Sequence, residues 1–565
     1  MKNISKTHCL PTAAMVPPYR RTLIQAALLL SCHGGLLAQG LPSTPLEQSN
    51  PRPAAPASSS MNIGMPERSA TSPGGAATGQ RVAISRIEWI GNSVIDSATL
   101  EAFVKPAMAK ALTLPELNAL ARQVAGFYHS RGFPFASAFV PPQKISEGLL
   151  RIEIVEGRYG KVSSAGEFLP KEVDPFLAAL RPGDVIEAQR LERTMLIVDD
   201  LPNIDVAPFV RPGSEYGTGN LEAVITRLAK YGGEFGLDNV GNRFTGEYRL
   251  RYGFNGYSLF RFGDEVRIKL LSSQSGIVLG SADYEAPLNG SGLRGQIGLA
   301  HTSYQLGREY DYLKANGYAD VLSTRVGYPV VRSQARNLNV SLGGLYKQLR
   351  DRVEISDTDQ RKKSWAFPLT ASFDARDPLM GGGVTFGNVV YTQGQLSLDA
   401  LQRQADASTA RTNGHFHKLN MDLARIQTLP ANFSLFVRAA AQHTDQNLDS
   451  SEKFAIGGFA GVRAYPTGQG VGDKGWFTQI ELRQKVGELT AFGFYDAGSS
   501  TANARPWGGN AAVRENISGS GLGVRRERLL GWTLEAVLGW RNASALPSDN
   551  SSRGARLSAT VTYRY

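Results

Sequence analysis

Cysteine is almost missing from this chain. Cys9 and Cys32 are the only two in 565 residues. Both fall in an N-terminal export segment, so a chain cleaved after Ala38 carries none. That excludes disulfides, cysteine-ligated zinc and a cysteine nucleophile. Long hydrophobic runs are missing too. Past the N-terminus no stretch of about 18 consecutive apolar residues occurs, which argues against membrane-crossing helices. There is no Walker loop, no G-x-S-x-G elbow and no metal-ligand signature. No cofactor, no metal and no enzymatic activity are therefore expected. His415-Phe416-His417 pairs two imidazoles without a third ligand nearby and is expected in a lumen or loop. Arg361-Lys362-Lys363 is expected to be a solvated loop rather than a lipid site.

Alternation is what the chain has in quantity. Strand side chains point to opposite faces with period two. At the C-terminus, Leu557, Ala559, Val561, Tyr563 and Tyr565 share one face, and Ser558, Thr560, Thr562 and Arg564 the other. Tyr248, Leu250 and Tyr252 oppose Glu247, Arg249 and Arg251 in the same way. Trp476, Thr478, Ile480 and Leu482 oppose Gln479, Glu481 and Arg483. Charge at every second position is costly where both faces meet lipid, but not where one lines a wet lumen. Residues 231–565 therefore predict a transmembrane β-barrel. Their length suits roughly 14 to 18 strands at about 10 residues per crossing plus loops.

The N-terminus carries an address. Arg20-Arg21 precede a short apolar stretch, Thr22–Leu30, and Leu36-Leu37-Ala38 offers a cleavage site, so residues 1–38 read as a signal peptide. Removing Lys2, Lys6, Arg20 and Arg21, with no acid among them, lowers the formal charge from +11 to +7. The remaining basic residues alternate along strands instead of forming a patch, which favours lumen lining over nucleic acid. Residues 39–80, rich in Pro, Ser, Ala and Gly, read as a flexible linker.

Two α+β modules precede the barrel. In the first, 81–158, a strand over Val82–Ile90 leads to a short helix and then to the capping box Thr113-Leu-Pro-Glu116. The following helix places Leu117, Leu120, Ala121, Val124 and Tyr128 on one face, and strands over Phe135–Val140 and Leu149–Val155 close the unit. The order β-α-α-β-β repeats over 159–230, where Lys161–Ser164 reads as a weak strand.

This unit resembles a POTRA (polypeptide-transport-associated) domain. Tyr128-His-Ser-Arg-Gly-Phe133, Pro142-Gln143, Gly148 and Glu156-Gly157 resemble the first POTRA domain of the two-partner secretion transporters, the TpsB family. Leu191-Glu-Arg193 with Asp200-Leu-Pro202 resembles the second. Leu237-Asp-Asn-Val-Gly241 with Thr245-Gly246 looks like that family's entry into the first barrel strand, which is expected to run from Phe244. Gly457-Gly458 followed by Val462-Arg-Ala-Tyr465 resembles the V-R-G-Y/F motif of a sixth extracellular loop folded back into the lumen, with Ala464 in place of the glycine. Phe492-Gly-Phe-Tyr-Asp-Ala-Gly498 resembles the family's F-x-F-x-D-x-G strand segment.

The resemblance implies a 16-stranded barrel in a Gram-negative outer membrane with its POTRA domains in the periplasm. It implies export of one large TpsA-type exoprotein, an adhesin, haemolysin or contact-dependent toxin. An insertase of the barrel-assembly type is the alternative. Implied partners are the exoprotein, outer-membrane lipids and the barrel-assembly machinery, with no nucleic acid. Arg463 and Asp496, with Val462, Tyr465, Phe492 and Phe494, are expected to latch the loop in the lumen. As a pair in a wet lumen they are expected to add little stability. Phe135, Ala138, Phe139 and Val140 are candidates for binding an extended client along a sheet edge. Tyr563 and Tyr565 are candidates for the barrel-assembly signal.

Overall fold

A computed structural model describes residues 81–565, apart from 169, 510, 544–547 and 549–553. The signal segment 1–38 and the linker 39–80 lie outside the described residues. The first module runs β1 (Arg86–Ile90), α1 (Ser97–Val104), α2 (Leu114–Ser130), β2 (Ser137–Phe139) and β3 (Leu149–Val155). Its sheet has the order β1-β3-β2, with β1 parallel and β2 antiparallel to the central strand. At the start of α2 the Glu116 carboxylate accepts from the Thr113 amide at 2.7 Å. The apolar face of α2 packs on Leu150, Ile152 and Ile154, and Tyr128 is fully buried there. Glu156 is a buried carboxylate that accepts from the Ser93 and Val94 amides at 2.6 and 2.8 Å. It fixes the turn leaving β1.

The second module repeats this layout with β4 (Arg158–Gly166), α3 (Pro170–Leu177), α4 (Ala188–Asp199), β5 (Ile204–Pro212) and β6 (Thr218–Arg227), in the sheet order β4-β6-β5. Here β4 spans nine residues, a fuller strand than the weak Lys161–Ser164 segment. Its pairing with β6 supplies what local sequence does not.

Sixteen antiparallel strands then close into a barrel, from Tyr231–Asp238 to Ala555–Arg564. The first strand is Tyr231–Asp238 and not a segment beginning at Phe244, which lies in the following loop. Gly232, Gly233 and Gly236 blur its alternation. The outer face is apolar: Leu557, Leu250, Tyr252, Trp476 and Ile480 are exposed, while Ser558, Gln479 and Glu481 turn inward and are buried. Wall height is uneven. The strands flanking closure have 8 and 10 residues, whereas Ala315–Arg332, Arg336–Val353 and Thr358–Asp377 have 18, 18 and 20.

The second module is seated on the turns at one end of the barrel. Phe262, in the turn 258–264, enters the module's core edge-on to Phe168 and Phe176, with centroids at 4.7 and 5.4 Å. Arg332 grips Asp200 with two hydrogen bonds of 2.7 Å. Arg193 Nη2 donates to the Pro329 carbonyl at 2.6 Å, and the Gln334 amide to Glu192 at 2.7 Å. The opposite, far end carries the longer loops.

Candidate functional site

Residues 444–473 join the strands Phe433–His443 and Lys474–Val486, as the sixth connection at the far end. This loop does not stand clear of the barrel. A turn that opens at Gly457-Gly458, with the Val462 amide donating to the Ile456 carbonyl at 2.8 Å, presents Arg463 to the inner wall. Val462, Tyr465 and Ile456 are buried with Phe477 and Ile517 from that wall. Arg463 donates through Nε and Nη2 to the two oxygens of Asp496, at 2.7 and 2.6 Å. Its backbone amide adds a third bond to the same carboxylate at 3.1 Å. Nη1 is hydrogen-bonded to Glu481. The guanidinium lies 3.7 Å above the Phe494 ring and 6.0 Å from Phe492.

Alternation explains the convergence. Phe492, Phe494 and Asp496 lie on one face of Leu489–Thr501, and Glu481 is the cross-strand partner of Phe494. The side chains of Arg463, Glu481 and Asp496 are 0% exposed, so the pair is not the screened one expected in a wet lumen. Loop and rings have closed over it. Ala464 is not among the residues of positive φ, so the methyl in place of the family glycine brings no backbone strain. Its room comes from Gly519, where a Cβ would stand 2.4 Å from that of Ala464.

Sequence reasoning missed Glu481 as a partner, although it was legible as an inward polar position of its strand. It also missed a second anchorage at the base of the loop. Glu452 binds Lys347 at 2.8 Å and Lys418 at 3.0 Å, and Asp449 binds Lys362 at 2.9 Å. Burial alone would raise both carboxyls, but Lys347 and Lys418 hold Glu452 down at about 2, and Lys362 does the same for Asp449. Lys362 is therefore an inward strand residue and not part of a solvated loop. Arg361 and Lys363 flank it on the outer face. His417 also lies on a strand, with Asp445 at 3.0 Å, and on the parity of the exposed Leu419. Among the described residues no group of His, Cys, Asp or Glu could hold a metal ion.

The remaining candidates are spread out. β2 is an edge strand, so its backbone is open on one side. Ala138 and Val140 pack on the first module's core, and Phe135 packs against the second module's core. Phe139 is half-buried, facing Glu153 across the sheet. Phe135 is thus a junction residue, and only the Phe139 side of the edge is available. The Tyr563 ring packs tilted against Trp532, with centroids 4.9 Å apart. Tyr565 exchanges two backbone hydrogen bonds of 3.1 Å with Gly233, extending the closing ladder of Glu234–Asp238 on Thr560–Arg564.

Comparison with known proteins places this geometry. The family model of the haemolysin secretion/activation protein ShlB/FhaC/HecB matches residues 217–526, and that of the ShlB-type POTRA domain matches 82–157. The heme/hemopexin transporter protein HuxB of Haemophilus influenzae is 25% identical over 420 residues, covering 72% of this chain and 74% of the relative. The outer membrane transporter CdiB of Dickeya dadantii is 23% identical over 397 residues, 67% of this chain and 68% of its own. In structure, CdiB from Escherichia coli superposes with a TM-score of 0.71 over 98% of this chain and 100% of its own, at 18% identity.

Proposed function

Because the chain belongs to the haemolysin secretion/activation protein (ShlB/FhaC/HecB) family, whose members are outer-membrane secretion transporters, we propose that it exports one large TpsA-type exoprotein through its barrel, and that Arg463 latches the loop in the lumen until export begins. The modules at one end lie in the periplasm, and the far end faces outside. The division proposed is 81–158 and 159–230 for two POTRA domains and 231–565 for the barrel. The observation that carries this function is the loop folded into the barrel. Arg463, in a 30-residue loop, is buried against the inner face of a closed wall and ion-paired there to Asp496.

The client's secretion domain meets the modules unfolded, along the Phe139 edge of β2, where open N–H and C=O groups accept an added strand. It then threads the barrel. No ATP is used in the periplasm, so the pull comes from folding outside. The client is an adhesin, haemolysin or contact-dependent toxin. Outer-membrane lipids and, during biogenesis, the barrel-assembly machinery are the other proposed partners.

Deleting 81–158 tests this. A heat-modifiable barrel should still reach the membrane, with export of the exoprotein partner lost. Normal export would refute the role of the module. A simultaneous drop in several unrelated outer-membrane proteins on depletion of the full chain would point to an insertase instead.

A further inference from the structure

The tall side of the barrel carries a feature that transport does not use. On the outer face of the strands Arg336–Val353 and Thr358–Asp377, Tyr346 and Trp365 are register partners with ring centroids 4.3 Å apart. Below them Phe367 and Leu369 are exposed, continuing the apolar band. An aromatic pair at the upper edge of such a band marks the boundary between acyl chains and headgroups. The next outward register pairs above it are Gln348 with Lys363, Arg350 with Arg361, and Arg352 with Asp359. Lys363 stands two residues above Trp365, roughly 7 Å along the strand. Four cations thus meet one carboxylate on this face. Asp359 takes Arg350 through two bonds of 2.7 Å and Arg361 at 3.3 Å. Asp320, one strand away, is engaged by the His301 ring at 2.6 Å. Arg361 keeps 69% of its side chain exposed. A cavity of about 440 Å³ adjoins the cluster, with Tyr318, His301, Arg350 and Arg352 in its lining.

We propose that this face binds a phosphorylated glycolipid of the outer leaflet. Its phosphate sits among Arg350, Arg361 and Lys363, its sugar enters the cavity beside Tyr318, and its acyl chains lie along Trp365, Phe367 and Leu369. Guanidinium forks pair with phosphate oxygens through parallel hydrogen bonds, and the exposed Arg361 fork is free to turn from Asp359 to do so. Strand parity divides the labour of the basic run: Lys362 turns inward to the loop base, while Arg361 and Lys363 face the lipid. The proposal rests on the outer-membrane placement of the barrel and not on what it exports, so the two can fail separately.

The test is binding of diphosphorylated lipid A, and of the same lipid with both phosphates removed, to the detergent-purified full chain, read by native mass spectrometry. The wild type should hold the phosphorylated form at least about tenfold more tightly, as expected when several basic residues act on one anionic headgroup. The Arg350→Gln/Arg361→Gln/Lys363→Gln variant, its fold checked by heat-modifiable migration, should lose that preference and keep its affinity for the dephosphorylated lipid. Equal binding of the two lipids by the wild type overturns the proposal, and this arm does not depend on the variant folding. A variant that keeps the preference overturns it too. So does complete displacement by millimolar inorganic phosphate, which would make the site one for small anions.

Discussion

Substituting Arg463 by alanine should open the lumen from the outside. Arg463 makes three hydrogen bonds to Asp496 and one to Glu481, and it lies on the face of Phe494, all without exposure to solvent. Breaking a buried ion pair by removing one partner costs about 3–5 kcal/mol, because the remaining charge keeps its desolvation penalty. Screening does not discount this figure, since the side chains of Arg463, Glu481 and Asp496 are fully buried. The lower figure raises the population of the released loop on the order of a hundredfold. Cys9 and Cys32 are the only native cysteines and precede the proposed cleavage after Ala38, so with both replaced by serine a single Val462→Cys probe reports alone. Val462 is 0% exposed, and its sulfhydryl should react with a membrane-impermeant maleimide only when the loop leaves. Labelling should be slow in the probe alone and on the order of a hundredfold faster with Arg463→Ala. Asp496→Ala should give a smaller rise, because Arg463 keeps Glu481. The double variant should label little faster than Arg463→Ala, since the pair acts as one unit. An unchanged rate in Arg463→Ala, or effects of the two substitutions that simply multiply, would refute the latch.

The loop base should be sensitive to acid. The folded Glu452 carboxyl is depressed from 4.5 to about 2, so the stability it contributes is complete above about pH 4.5 and lost as pH falls toward 2. Pepsin cleavage of the 444–473 loop, normalised at each pH to cleavage of an unfolded control, should accelerate across that window, and Glu452→Gln should make it faster and flatten the profile, leaving the part that Asp449 contributes; a pH profile unaltered by Glu452→Gln would exclude this anchorage. At the other end of the chain, removing Tyr563–Tyr565 takes away the Tyr563–Trp532 ring contact and both Gly233–Tyr565 bonds, and folded barrel in the membrane should fall severalfold. Unchanged folded yield would count against the closing strand as an assembly signal.

Much of the wall was legible in the sequence because period two is a local property. Tyr248, Leu250 and Tyr252 declare a lipid face without reference to any neighbour. The first strand was not legible, since Gly232, Gly233 and Gly236 show no side chain to alternate. The Arg463–Asp496 contact was readable as a motif, yet its geometry was not. Glu481 joins Arg463 only because the loop descends to that level, and no periodicity encodes the depth of a loop. Lys347, Lys418 and Glu452 lie far apart in the chain and meet for the same reason. The run Arg361-Lys362-Lys363 looked like a loop because three consecutive charges are unusual within a membrane strand. The strand outgrows the apolar band there, and parity sends Lys362 one way and its neighbours the other.

Phe262 sets a rule for anyone who would exchange parts between such proteins. It belongs by sequence to a turn of the barrel, but by packing it completes the core of the second module with Phe168 and Phe176. A chimera cut at the boundary near residue 230 therefore transplants a core with one ring missing. The transferable unit is the module together with its turn 258–264, and grafts that respect that unit should inherit both a whole core and its seat on the barrel.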